Sequence, residues 1–166
     1  ASGSDIIILP EIPYHLEAIC DYVSFRGKHG KRFSIVCIAE GAKPEGGQQV
    51  VSRIDPTSPD PIRLGGVGER LADDLERCSG IETRAIVLGH VIRGGTPIAD
   101  DRVLGTRFGY HAVRLLTSGA TSRMVVMRND EVTDIDIRTV ANKQRLVPRD
   151  HQLIDAAKAV GACFGE

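Results

Sequence analysis

Apolar positions in this chain fall into short unbroken runs that alternate with helical stripes. Ile6 to Leu9 is apolar throughout, which predicts a strand buried on both faces, as in a parallel sheet. Pro10 and Pro13 punctuate the next segment, and Pro13 suits the first turn of a helix. Leu16, Ile19, Cys20 and Val23 recur at helical spacing and make one stripe. That helix is expected to end near Gly27 to Gly30, with Arg26, Lys28 and Lys31 around its negative end. Phe33 to Ala39, rich in Val and Ile, reads as a second strand. Gly41 to Leu64 is polar and carries Pro44, Gly46, Gly47, Pro56, Pro59 and Pro61, so it reads as a long loop. A second helix is expected from near Gly66, with Val67, Leu71, Leu75 and Cys78 on the 3.6 period and Gly80 as its C-cap.

Thr83 to Leu88 reads as a third strand and Gly89 to Ile98 as a loop. Asp100 or Asp101 is expected to open a third helix with Leu104, Phe108, Ala112 and Leu115 on one face. Met124 to Met127 and Val132 to Ile137 read as two more short strands, and Asp150 as the cap of a last helix carrying Leu153, Ala157 and Val160. The strand–helix order predicts an α/β fold, a parallel three-layer sheet with helices on both faces and right-handed crossovers. In such sheets ligands sit beyond the carboxyl ends of the strands. Two loops leave those ends, one at Ala39-Glu40-Gly41 and one at Gly89 to Gly95, so Glu40, His90 and Arg93 are expected on one rim. Arg84 starts the third strand at the opposite end. It is not expected to reach the same ligand within one subunit, which leaves a shared interface or a simple salt bridge.

Composition narrows the picture. The chain has 166 residues, enough for one domain with its own core; 42% are apolar and 26% charged. A net charge of −1 excludes a general attraction to nucleic acid or anionic membrane, so any anion must be held by a few placed basic residues. The four cysteines form no C-x-x-C pair, which argues against zinc. Cys20, Cys37 and Cys78 fall on apolar faces and are expected to be small buried hydrophobes in a reducing compartment rather than a disulfide framework. No apolar run approaches the ~20 residues of a membrane span, and no signal peptide is visible. The chain has no initiator Met and opens almost directly on an apolar strand, so it is expected to be a piece of a longer protein.

His90 and Arg93 lie three apart in a glycine-rich loop. Glycine lets a backbone approach a ligand, and arginine offers a planar fork of donors suited to phosphate. Glu40 offers an acceptor for sugar hydroxyls. The bland readings stand beside these: a solvated loop arginine, a structural histidine and, favoured for Arg84, a surface ion pair. Arg93-Gly94-Gly95 is a single copy between a predicted strand and helix, unlike the repeats of RNA-binding tails. Gly66-Val67-Gly68 fails as a dinucleotide fingerprint, because Leu71 stands where the third glycine belongs and no strand precedes it. A Walker A lysine motif is absent. Asp73, Asp74 and Glu76 read as a solvated helix face, and Asp100-Asp101 as a helix N-terminal charge pair rather than a metal site.

The run from Glu82 to Pro97 (ETRAIVLGHVIRGGTP), followed by Asp101-Arg102, closely resembles the fructose-6-phosphate-binding signature of 6-phosphofructokinases. Ile8-Leu9-Pro10-Glu11 and Ile38-Ala39-Glu40-Gly41 match the family in order, and the resemblance covers nearly the whole chain. It implies a partial phosphofructokinase-like fold in three parts. Residues 1–98 form a sugar-phosphate-binding lobe, 99–148 a segment that packs on a missing donor lobe and leaves an orphaned apolar face around Val103 to Leu116, and 149–166 a C-terminal helix returning to the first lobe.

The resemblance also implies roles. His90 and Arg93 would hold the sugar phosphate within their own subunit, Glu40 would hydrogen-bond the sugar ring, and Arg84 would reach the 6-phosphate in a neighbouring subunit of a homo-oligomer, a homotetramer in the family. Asp5 and Lys31 fall where allosteric bacterial relatives bind a nucleotide effector. Ile92 departs from the glutamine usual between His and Arg, and the Gly41 to Leu64 loop is longer than in compact bacterial enzymes. The longer loop resembles the branch holding both ATP- and pyrophosphate-dependent members. The family's Gly-Gly-Asp donor loop, its Thr-Ile-Asp-Asn-Asp-like catalytic segment and its Met-Gly-Arg motif are absent. Phosphoryl transfer needs a held donor, a metal and a base. The implied parent is therefore a glycolytic, cytoplasmic kinase using Mg2+ with ATP or pyrophosphate, while this chain supplies acceptor binding, no catalytic or metal-ligating residue, and no activity alone. The alternative is a non-catalytic module that binds a sugar phosphate or a nucleotide effector.

Overall fold

The computed structural model describes residues 3–54, 56–57 and 62–166; Pro59 and Pro61 of the predicted loop lie outside them. In chain order the elements are β1 (Ile6–Ile8), α1 (Leu16–Lys28), β2 (Val36–Ile38), β3 (Val51–Ile54), β4 (Ile62–Leu64), α2 (Val67–Ser79), α3 (Ala99–Thr117), β5 (Arg123–Arg128), β6 (Glu131–Asp136) and α4 (Gln152–Ala159). A 3₁₀ turn occupies Gly89–Arg93 and another Ile137–Thr139. The chain divides into two compact units, residues 1–87 with 146–166 and residues 88–145.

In the first unit β1 pairs in parallel with β2, Ile6 opposite Val36 and Ile8 opposite Ile38. A parallel bridge from Ile6 to Cys163 covers its other edge. The strand period of two then sorts the apolar run. Ile6 and Ile8 pack with Ile19, Cys20 and Val23 of α1 and with Leu71 and Leu75 of α2. Ile7 and Leu9 pack against Ile12, Ile154 of α4 and Phe164. Both faces of β1 are thus covered, which is why it carries no polar position. Ile6, Ile8 and Ile19 are the largest fully buried side chains. Each contributes about 1.5–3 kcal/mol of apolar burial, as an upper bound.

Helix ends follow the glycines. Gly30, at φ +80°, lets the Lys31 N–H return to the Arg26 carbonyl at 3.0 Å and its own N–H reach the Gly27 carbonyl at 3.1 Å, which closes α1 as a Schellman motif. Gly80, at φ +69°, ends α2 in the same left-handed conformation. Pro13 does not open α1: His15 is the N-cap, and the chain around Pro13 is drawn aside by the Tyr14–Pro44 bridge. His151 rather than Asp150 caps α4, its Nδ1 accepting from the Leu153 N–H at 3.1 Å. The buried face of α4 runs through Ile154 and Ala157, leaving Leu153 and Val160 exposed.

Three further expectations differ from the structure. The predicted loop from Gly41 to Leu64 contains an antiparallel pair, β3 with β4, registered Val51 to Leu64 and Ile54 to Ile62 with a shift between Val51 and Arg53. Both strands are too short to show an alternating pattern, and β3 is exposed throughout. Thr83 to Leu88 forms no strand, and Ile86 and Val87 are 82% and 73% exposed. Its β-branched residues favour a strand, but a strand exists only where a neighbour completes its ladder, and none of the described residues does so. Finally, Cys20 and Cys78 are joined as a disulfide across 58 residues, while Cys37 is exposed and Cys163 half-buried. The cysteines are therefore not simply small buried hydrophobes. Their pairing follows from α1 packing on α2, which sets the two Cα atoms 6.2 Å apart.

The second unit joins α3 to a hairpin. β5 and β6 pair from Arg123 opposite Asp136 to Arg128 opposite Glu131. Asn129 and Asp130, at φ +48° and +64°, make the two-residue turn whose handedness matches strand twist. Phe108, His111, Ala112 and Leu115 form the half-buried stripe of α3. Val103, Leu104, Tyr110, Val113 and Leu116 are exposed, so the β5–β6 hairpin leaves most of the apolar surface around Val103 to Leu116 uncovered.

Candidate functional site

Glu40 follows β2 at the carboxyl end of the parallel pair, where the chain turns so that the Ala42 N–H reaches the Ala39 carbonyl at 2.9 Å. Its carboxylate lies against the backbone where β4 gives way to α2: a Cβ on Gly65 would stand 3.6 Å from Oε1 and 3.1 Å from the Ser52 Cβ. Glycine at that position keeps the carboxylate's surroundings open. Gln49 ties the strip together by donating to the Gly41 carbonyl at 2.8 Å. Glu40 is exposed, and its carboxylate has no hydrogen-bond or ion-pair partner among the described residues.

Arg84 lies in the irregular segment that follows α2. Its Nε and Nη2 both donate to Oε1 of Glu82, at 2.9 and 2.6 Å. Glu76 Oε2 anchors the same segment by accepting from the Thr83 N–H at 3.0 Å. The surface ion pair favoured by the residues alone is therefore what Arg84 makes in this chain.

His90 and Arg93 belong to the second unit, whereas Glu40 and Arg84 belong to the first. The expected rim rested on Thr83 to Leu88 as a third strand of the sheet, and that strand is not formed. His90 and Arg93 are brought together locally instead. Positions three apart on a 3₁₀ turn eclipse one another, so both side chains leave the same side of Gly89–Arg93. The turn is closed by the Val91 N–H on the Leu88 carbonyl and the Gly94 N–H on the Val91 carbonyl, both at 3.0 Å. Gly95, at φ +102°, adopts backbone that a side chain rarely allows. His90 and Arg93 are exposed, and neither side chain has a partner among the described residues. An arginine fork beside an imidazole, with free donors on both, is suited to an anion.

Asp5 and Lys31 differ in how far they are committed. Asp5 Oδ1 pairs with Arg26 at 2.7 Å, and Oδ2 accepts from the Ile35 N–H at 2.8 Å, fixing β1 to the chain entering β2. Lys31 is exposed beyond the end of α1. Among the described residues no three His, Cys, Asp or Glu side chains converge to hold a metal ion.

Sequence reading missed a second cluster of groups. Asp134 of β6 accepts from Arg123 Nε at 2.5 Å and lies 3.2 Å from His111 Nε2, joining α3 to the hairpin. The Arg123 hydrogen bond, with His111 second, holds its carboxyl below the usual range. Beside it Arg107, Tyr110, His111, Glu131 and Val132 line an open cavity of about 350 Å³. The i, i+4 pair Arg107–His111 was the available signal, but its partners come from a hairpin whose register only the structure supplies.

With this geometry in view, comparison with known proteins gives one answer. A family model described as phosphofructokinase matches residues 1–116. An ATP-dependent 6-phosphofructokinase of Spirochaeta thermophila is 43% identical over 166 residues, covering all of this chain and 45% of that protein. ATP-dependent 6-phosphofructokinase 2 of Clostridium perfringens is 41% identical over 167 residues, covering all of this chain and 46% of that protein. A solved pyrophosphate-dependent phosphofructokinase from Marinobacter aquaeolei, at 19% identity, shares the fold with a TM-score of 0.66 over 98% of this chain and 42% of its own. The chain belongs to the phosphofructokinase family. It spans less than half the length of the curated relatives it matches.

Proposed function

We propose that this chain is the fructose 6-phosphate-binding part of a 6-phosphofructokinase, a kinase that carries phosphate to the acceptor's 1-hydroxyl. The observation that carries the reading is full-length similarity, above 40% identity, to proteins named ATP-dependent 6-phosphofructokinases, over less than half of their length. Those names favour ATP as the parent's donor, and the phosphofructokinase neighbours keep pyrophosphate as the second possibility. Donor binding and the base for the sugar hydroxyl then belong to parts of the parent outside this sequence, and the chain alone turns over no substrate. The parent acts in cytoplasmic glycolysis.

Within this reading Arg93 and His90 donate to the sugar phosphate. Charge-assisted bonds to a dianion are the strong class of hydrogen bond, and both side chains stand without competing partners among the described residues. Glu40 accepts from a ring hydroxyl, and its unpartnered carboxylate supports that role. Arg84 serves a neighbouring subunit of a homo-oligomer, leaving Glu82 when a phosphate offers a better partner. Lys31 and Asp5 are the candidate contacts for a nucleotide effector, with Asp5 already paired to Arg26. The segment 99–148 supplies the face that meets the donor lobe, and its exposed Val103, Val113 and Leu116 support that assignment.

Calorimetric titration with fructose 6-phosphate tests the proposal. Saturable binding that Arg93→Ala reduces by at least about tenfold is expected, since a hydrogen-bonded charge is worth roughly 1.5–3 kcal/mol. Activity on adding the parent's other half distinguishes an enzyme part from a binding module. A folded chain that binds no sugar phosphate, alone or with that half, would overturn the reading.

A further inference from the structure

Nothing in the proposed function uses the Cys20–Cys78 disulfide, yet its position gives it leverage. Cys20 sits in the middle of α1, 9% exposed, inside the apolar cluster. Cys78 is exposed and lies in the last turn of α2. Among the described residues, α2 enters that cluster through Leu71 and Leu75, and residues 76–79 are not part of it. The disulfide is therefore the link from the last turn of α2 to the core. Directly after that turn come Gly80 and the exposed segment that carries Glu82, Thr83 and Arg84. That segment is tied back to the same turn by the Thr83 N–H on Glu76 and the Ile81 N–H on Ser79 Oγ. Loosening the turn loosens both anchors.

The two sulfurs are unequal toward an attacking thiolate. Exchange proceeds by attack on an accessible sulfur, so the residue facing solvent receives it. We propose that Cys20–Cys78 is a thiol–disulfide exchange site that takes a dithiol as its reductant, and that its oxidation state sets how firmly the last turn of α2 and the Arg84 segment are held. A dithiol thiolate attacks Cys78 Sγ, forming a mixed disulfide and expelling Cys20 as a thiolate. That thiolate takes a proton from water, because burial disfavours the charged form. The second dithiol sulfur then attacks its own partner sulfur in the mixed bond. Cys78 leaves as a thiolate and is protonated, and the reductant becomes a cyclic disulfide. Two electrons and two protons pass to the protein. The reduced Cys78 thiol finds an acceptor at once, the Leu75 carbonyl 3.4 Å from its sulfur. α2 thus keeps its helix while losing its covalent tie. This inference stands independently of sugar-phosphate binding.

The test equilibrates the chain with mixtures of reduced and oxidised dithiothreitol, then counts thiols after denaturation and maps them by peptide. Two thiols, Cys37 and Cys163, are expected at the oxidising end and all four cysteines at the reducing end. Reduction is expected to lower Tm by about 5–10 °C and to speed tryptic cleavage after Arg84 several-fold relative to cleavage after Arg145 in the other unit. Cys20→Ser/Cys78→Ser should behave like reduced protein at every ratio, and Cys37→Ser/Cys163→Ser should keep the full response. If the first double variant does not fold, reduced wild-type protein carries the same comparison. Four free thiols at every ratio, or a bond mapped to another pair, would overturn the site. A bond that forms and breaks with no change in Tm or Arg84 cleavage would overturn its control of the segment.

Discussion

Arg84 directs both Nε and Nη2 at one oxygen of Glu82, two residues away, and leaves the other Glu82 oxygen unused. One edge of the guanidinium fork is thereby occupied before any ligand arrives. Both side chains are largely exposed, at 83% and 72%, so the pair is weak and easily exchanged. Glu82→Gln is expected to tighten sugar-phosphate binding by up to about fivefold in the assembled parent. The gain should vanish in Glu82→Gln/Arg84→Ala. Calorimetry on wild type, Glu82→Gln, Arg84→Ala and the double variant measures it, and weaker binding by Glu82→Gln alone would show that the carboxylate helps rather than competes.

Asp134 makes the hairpin sensitive to acid. Its folded-state carboxyl is depressed, first by the Arg123 hydrogen bond and then by His111. A depressed carboxyl contributes stability that is present above its unfolded value of 3.8 and is lost as pH falls through the folded value. Asp134→Asn should therefore lower the urea midpoint at pH 6–7 and converge with wild type well below pH 3.8. Asp136, lowered by Arg138, is the control that changes the acid profile without touching α3.

Tyr14 acts at the other end of the scale. Burial raises its phenol above 10.0, with Arg70 opposing and Asp74 reinforcing the shift. A raised folded-state value means full stability below pH 10.0 and loss as pH rises through the folded value. Tyr14→Phe should remove the part of the alkaline destabilisation that tracks phenolate absorbance. An unchanged alkaline profile in that variant would assign the loss to other groups.

Asp130 holds φ +64° at the second position of the β5–β6 turn. Glycine adopts that conformation without a Cβ penalty. Asp130→Gly should stabilise the chain by about 0.5–1 kcal/mol in urea unfolding. The Asp130 carbonyl that accepts from Arg107 at 2.8 Å is backbone and survives the change.

Packing at Ile19 tests the core itself. Ile19 is wholly buried between β1 and α2. Ile19→Ala should cost about 2–5 kcal/mol, measured as a lower urea midpoint with unchanged slope. A cost below about 1 kcal/mol would mean that the site collapses around the missing atoms.

The sequence by itself determined whatever depends on neighbours along the chain. An unbroken apolar run made β1 a two-faced strand, and its Ile6/Ile7 alternation decided which face each side chain serves. Gly30 and Gly80 ended α1 and α2 because few other residues accept their left-handed backbone. The spacing of His90 and Arg93 put them together in one glycine-rich loop, and the run around them was enough to point to the family. Tertiary structure decided whatever needs a partner distant in sequence. Thr83 to Leu88 has strand residues but no adjacent ladder, so it stays irregular. β3 and β4 formed inside a segment whose composition reads as loop, because pairing satisfies their backbone groups where side chains give no pattern. Cys20 met Cys78 only because α1 and α2 pack on the same sheet face, and Asp134 met His111 only through the hairpin register. Local conformation follows from dihedral preference and periodicity, whereas a bond between distant groups exists only once the chain between them has been arranged.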